Sequence, residues 1–254
     1  MKFIKPIIIF IAASLVTIAS MFALASSPQS QLEARQKTHL GSVNVSTPVT
    51  VLELFTSQGC SSCPAANKFV RELDGGPDLL TLSYSVDYWD YLGWKDTFGK
   101  PEFSKYQRTY GKRFDGAVYT PQMVVNGKIH AARFTGKKVR SLKLGNGPNI
   151  HIGVSDGGIG VKITPQDTLE KTWNVMAVRY RPGIQSVPVK RGENSGRTIK
   201  LANVVQTGKE IGKVGGGKSF SVQIETLKPD EALAILVQDG PGGPILSAAN
   251  YVPG

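Results

Sequence analysis

The stretch Val51-Leu52-Glu53-Leu54-Phe55-Thr56-Ser57-Gln58-Gly59-Cys60-Ser61-Ser62-Cys63-Pro64-Ala65-Ala66 decides how this chain is read. Val49 to Phe55 is an apolar, β-branched run of strand length. Thr56-Ser57-Gln58-Gly59 is a tight loop. Beyond the cysteines, Ala65, Ala66, Phe69, Val70 and Leu73 share one helical face, and Gly75-Gly76-Pro77 stops the helix. Leu79 to Val86 is a second apolar run. Strand, CxxC, helix and strand make a parallel crossover, right-handed by rule.

Cys60 and Cys63 are the chain's two cysteines. A loop of two residues between them constrains little of the unfolded chain, so the spacing serves disulfide exchange better than stability. The attacking species in exchange is the thiolate. A helix starting near Ser61 puts Cys60 at its N-terminus, where unpaired amides and the dipole favour negative charge. Cys63 lies one turn later and can close the ring on a mixed disulfide. Pro64 removes an amide hydrogen where the helix needs none. Two other readings stand beside this one. An inert structural disulfide has the same spacing. A metal site would need about four ligands, and His39, His130 and His151 show no ligand spacing to complete one. No cofactor is implied.

The chain has 254 residues and a formal net charge of +11. Lys2 and Lys5 precede an apolar run from Ile7 to Leu24, and Ala23-Leu24-Ala25 offers a cleavage pattern, so residues 1–25 are expected to be an export signal. The run is long enough that an uncleaved inner-membrane anchor, which would associate the chain with the membrane, is the rival. Either way the expected location is exported, periplasmic or secreted, or anchored facing the periplasm. A cysteine pair persists there as a disulfide. Residues 26–46 are polar and aperiodic, a flexible spacer. The basic residues are scattered, including Lys190, Arg191 and Arg197, and no nucleic-acid motif accompanies them; they read as general surface.

Residues 87–119 are rich in aromatics, among them Tyr88, Trp89, Tyr91 and Trp94, which line a cleft beside Cys60 or pack an insert. Pro101 to Arg113 reads as a helix, and 136–144 as a short, weakly patterned one. Met123-Val124-Val125-Asn126-Gly127-Lys128-Ile129 carries the strongest short hairpin signal, Asn-Gly between apolar runs. His130, on that hairpin, reads as a structural residue. From Asn149 onward seven short strands alternate with Gly, Pro, Asp and Asn clusters, as in a β-sandwich. The expected fold class is therefore an α/β domain over 47–146 followed by an all-β sandwich-like domain over 147–254.

Strand–CxxC–helix–strand followed by Thr120-Pro121 before a hairpin resembles the thioredoxin fold. More closely, Glu53 to Pro64, Val86-Asp87-Tyr88-Trp89-Asp90-Tyr91-Leu92-Gly93-Trp94 and Val118 to Gly127 are similar to exported bacterial proteins of domain of unknown function (DUF) family 1223, a resemblance covering residues 47–254. It implies Cys60 as nucleophile, Cys63 as resolving thiol, Pro121 as a cis proline facing the pair, and a Thr120 backbone that pairs with a bound partner in β fashion. It implies a protein or small-thiol disulfide partner. Ser61-Ser62 stands where thioredoxins carry Gly-Pro, and Gly59 where they carry an aromatic. Glu53 falls one residue further upstream than the buried acid of thioredoxin; it serves as proton acceptor for Cys63 or points to a solvated edge. Two functions are carried forward: a thiol–disulfide oxidoreductase, and a non-enzymatic binding or scaffold module with a static disulfide.

Overall fold

The computed structural model describes residues 45–155, 157–166 and 171–253. The expected export signal and the spacer up to residue 44 lie outside the described residues. Among the described residues no helix is long and apolar enough to cross a membrane.

The chain is mixed α/β, built on one large mixed sheet. Strand β1 (Val45–Ser46) is followed by β2 (Thr50–Thr56), helix α1 (Cys63–Leu73), β3 (Leu79–Ser85), a 3-10 turn (Asp90–Leu92) and α2 (Pro101–Gly111). Then come β4 (Gln122–Val125), β5 (Ile129–Ala131) and α3 (Gly136–Ser141). The remaining strands are β6 (Asn149–Ser155), β7 (Gly158–Thr164), β8 (Thr172–Pro188), β9 (Thr198–Gly215), β10 (Phe220–Ile224), β11 (Ala232–Gln238) and β12 (Ile245–Tyr251). Nine strands share one sheet in the order β1-β12-β11-β8-β9-β3-β2-β4-β5, and β10-β7-β6 form a second. β2 and β3 pair in parallel across α1, as the crossover pattern requires. The β4–β5 loop is Asn126-Gly127-Lys128, in which Asn126 and Gly127 have φ of 51° and 61° and the Lys128 amide donates to the Val125 carbonyl at 3.0 Å, the doubly positive turn that Asn-Gly favours. Gly127 is needed twice over, because a Cβ there would sit 2.2 Å from the Gly243 carbonyl oxygen.

Strand alternation divides the core. Leu52 and Leu54 face Ala66, Val70 and Leu73 of α1, with Val139 of α3 in the same cluster. Val51 and Phe55 face the other way, toward Tyr84, Phe103 and Tyr110. So α1 and α2 cover opposite faces of the sheet.

All seven strands expected after residue 149 are present. They do stack two sheets: Ile152, Ile159, Val161 and Ile163 of the small sheet pack on Trp173, Val175, Leu233, Ile235 and Val237. One layer of that stack, however, belongs to the nine-stranded sheet, which runs across residue 147 through the parallel pairing of Ser83 on β3 with Val204 on β9. β11 is buried along its whole length because both its faces are covered. β8 and β9 are far longer than the short strands read from the sequence. They pair from Thr172–Gly215 to Pro188–Thr198, with register shifts that absorb the Pro182-Gly183 interruption. The far end of this hairpin reaches the cysteine loop.

Candidate functional site

Cys60 and Cys63 form a disulfide, with Cα atoms 5.4 Å apart. The helix begins at Cys63 rather than near Ser61, so Cys60-Ser61-Ser62-Cys63 is a turn whose last residue is the first of the helix. The Cys63 amide closes that turn by donating to the Cys60 carbonyl at 3.2 Å. Both cysteines are buried, at 2% and 0% exposure. The hydroxyl of Ser62 lies 3.4 Å from the Cys60 sulfur.

Three parts of the chain brace the loop that carries Cys60. The first is the 87–98 insert. Asp96, 3% exposed, accepts from the Gln58 amide at 2.7 Å and from the Phe98 amide at 2.9 Å. Burial pushes the Asp96 carboxyl up and these two hydrogen bonds oppose the shift. The Gln58 side-chain oxygen accepts from the Trp94 indole at 2.9 Å and from the Thr97 amide and hydroxyl at 3.2 Å. The insert's aromatics thus pack and hydrogen-bond; Tyr91 alone projects, 77% exposed, stacked on Trp89.

The second is the segment before β4. The Thr120–Pro121 bond is cis. Pro121 lines a cleft of about 140 Å³ with Ser62, Ala65, Phe69 and Phe134, so it sits beside the cysteine turn. Trp89 ties the two together. Its indole donates to the Thr120 hydroxyl at 2.7 Å, and a Cβ on Gly59 would meet the Trp89 Cβ at 3.0 Å. Glycine stands before Cys60 because the tryptophan occupies that space. Trp89→Phe keeps the packing and removes the donor, and is expected to cost about 1 kcal/mol in urea unfolding.

The third is the turn joining β8 to β9, which sequence reading missed. Asn194, fully buried, donates to the carbonyls of Gln58 at 2.9 Å and Cys60 at 2.8 Å. The Glu193 carboxylate accepts from the Ser61 amide at 3.1 Å. Val189, Ile199 and Leu201 pack with Trp94 and Phe98 behind it. Nothing local marks Asn194; its partners lie 134 and 136 residues away.

Glu53 is brought to neither of the places expected for it. It is fully buried, and its face of β2 is the one opposite α1 and Cys63. The hydroxyls of Tyr110 and Tyr106 donate to it, the latter at 3.1 Å, and the Gln238 amide donates to both tyrosines at 3.0 and 3.1 Å. Burial pushes its carboxyl from 4.5 up to about 7, against the tyrosine hydrogen bonds that pull it down. Beneath the cysteine turn, on the α1 side, Thr56 donates to Asn67 at 3.0 Å instead. His130 bonds the Tyr119 hydroxyl at 2.9 Å and stacks on Phe114, away from the sulfurs. Among the described residues no three His, Cys, Asp or Glu side chains are grouped to hold a metal.

A family model described as "Protein of unknown function (DUF1223)" matches residues 51–238, most of the chain. The chain belongs to the DUF1223 family. The matched span takes in the cysteine turn, the Thr120–Pro121 bond and the Asn194 turn alike. This DUF1223 chain is also similar to a protein from Agrobacterium tumefaciens solved by X-ray crystallography. The two are 27% identical with a TM-score of 0.66, over 81% of this chain and 95% of that one. A comparison with curated proteins finds no match.

Proposed function

We propose that this chain is an exported, thioredoxin-like thiol–disulfide oxidoreductase. The observation that carries the reading is the pairing of the Cys60–Cys63 turn, at the start of α1, with a cis Thr120–Pro121 bond beside it. Export rests on the lysines and apolar run before residue 25, and the oxidising compartment it leads to suits the chemistry.

In the proposed exchange the Cys60 thiolate attacks one sulfur of a partner disulfide, and the partner's other sulfur leaves as a thiolate. Cys63, deprotonated, then attacks the Cys60 sulfur and releases the partner's second thiol. The partner gains two electrons and the pair becomes a disulfide; the reverse sequence oxidises a partner dithiol. An external thiol couple resets the pair. The partner is a protein or a small thiol, and the Thr120 backbone is the surface on which an extended partner pairs.

Cys63→Ser tests this. The variant is expected to accumulate mixed disulfides on Cys60, seen by mass spectrometry of the exported fraction. The same adduct level in a Cys60→Ser control removes the nucleophile assignment. A static disulfide on a binding scaffold is the second reading, favoured by the burial of both cysteines. A reduction potential below roughly −300 mV, the range of structural disulfides, supports that reading instead.

A further inference from the structure

We propose that Glu193 is a positioning residue that holds back the ionisation of Cys60, and so biases the pair toward its disulfide. The inference rests on the thiol–disulfide reading above. Its basis is the competition for backbone donors at the cysteine turn.

A thiolate on Cys60 needs amide hydrogens from the residues that follow it. Pro64 has none, and the Cys63 amide is turned back to the Cys60 carbonyl. The Ser61 amide is occupied by Glu193 at 3.1 Å. What remains for the sulfur is Ser62 alone, through its hydroxyl at 3.4 Å and its backbone amide. Glu193 therefore removes a donor from the thiolate and sets a second negative charge at the end of α1, where the helix dipole favours only so much anionic charge.

This placement is fixed rather than incidental. The neighbouring residue Asn194 is fully buried and bonded to the carbonyls on both sides of Gly59. Arg197 in turn donates to the Asn194 side-chain oxygen at 3.2 Å. The other charged groups around the turn are Asp96, bound to the Gln58 amide, and the exposed Lys190, Arg191 and Arg133, the last lining the cleft with Ser62 and Pro121. Asp96 acts one residue before Gly59, so it adds to the negative field that Cys60 meets, while the basic side chains lie in solvent and are screened. Glu193 itself is exposed, which limits its effect to the size of a surface charge near a helix end.

The consequence is a balance that favours the disulfide. In the exchange with glutathione, one protein disulfide and two glutathione thiols give one protein dithiol and one oxidised glutathione. A thiolate that forms less readily makes the dithiol side less favourable at every pH above its ionisation.

The test uses the reduced full chain. Ionisation of Cys60 is followed by thiolate ultraviolet absorbance against pH in a Cys63→Ser background, where Cys60 is the sole thiol. Adding Glu193→Gln is expected to raise the ionisation constant about threefold, a midpoint roughly half a pH unit lower. The difference shrinks in about 1 M NaCl. With both cysteines present, the dithiol-to-disulfide ratio against glutathione rises by the same factor above the midpoint and not below it. A midpoint that does not move, or a shift undiminished by salt, overturns the proposal. Failure of the Cys63→Ser trap would instead remove the exchange reading, and the absorbance titration does not depend on it.

Discussion

Glu53→Gln is expected to gain stability over the unsubstituted protein as pH rises, by about 3 kcal/mol between pH 4.5 and pH 7. The folded-state carboxyl titrates near 7 and the unfolded one near 4.5. In that window the unfolded chain has already lost the proton that the folded chain keeps. The contribution of protonated Glu53 is thus fully present below pH 4.5 and is lost as pH climbs through 7. Glutamine does not titrate, so its curve lacks this slope. The nearest ionisable groups do not interfere, because burial pushes Tyr84, Tyr106 and Tyr110 well above their ordinary range. A fixed offset from exchanging carboxyl for amide is expected at all pH values and cancels in the comparison. Urea unfolding of both proteins at several pH values checks it. A free-energy difference that stays constant from pH 4.5 to 7.5 or so would show that Glu53 is not held protonated.

Asn194→Ala is expected to cost about 3 kcal/mol and to speed native-state reduction of the disulfide tenfold or more. Its amide is the donor to two carbonyls, of Gln58 and Cys60, in a buried setting. Removing it leaves the buried Gln58 carbonyl without that partner, at about 1–3 kcal/mol before relaxation, and takes one of two donors from the Cys60 carbonyl, which keeps the Cys63 amide, at about 1 kcal/mol. Asn194→Asp separates causes, since it keeps the volume and deletes the donor hydrogens. Both variants are expected to expose the cysteine turn to dithiothreitol. If either is reduced at the unsubstituted rate, the turn between β8 and β9 does not restrain the site.

The opening strand, the helix after the cysteines and the Asn126-Gly127 hairpin were legible because each announces itself within about ten residues, by period or by turn chemistry. The mixed α/β character and the run of late strands were legible for the same reason. The arms β8 and β9 were not. They read as short strands because Pro182-Gly183 and the bulges near Tyr180 and Val205 break the alternation, although pairing continues beyond them. Glu53 is the sharpest case. It lies one residue upstream of the resembling acid, and in a strand one residue is a change of face. Its neighbours became the tyrosines of α2 instead of Cys63. Asn194 left no local trace, because its role exists only once a hairpin end is brought to a loop 134 residues earlier.

That separation also sets a timetable. A chain is made from its N-terminus at about 5–20 residues per second. Cys60 and Cys63 therefore exist for on the order of ten seconds before Asn194 has been added to the growing chain. During this interval the sulfurs meet their surroundings without the hairpin end that later docks on them. Order along the polypeptide makes the cysteine pair the earlier arrival and its restraint the later one.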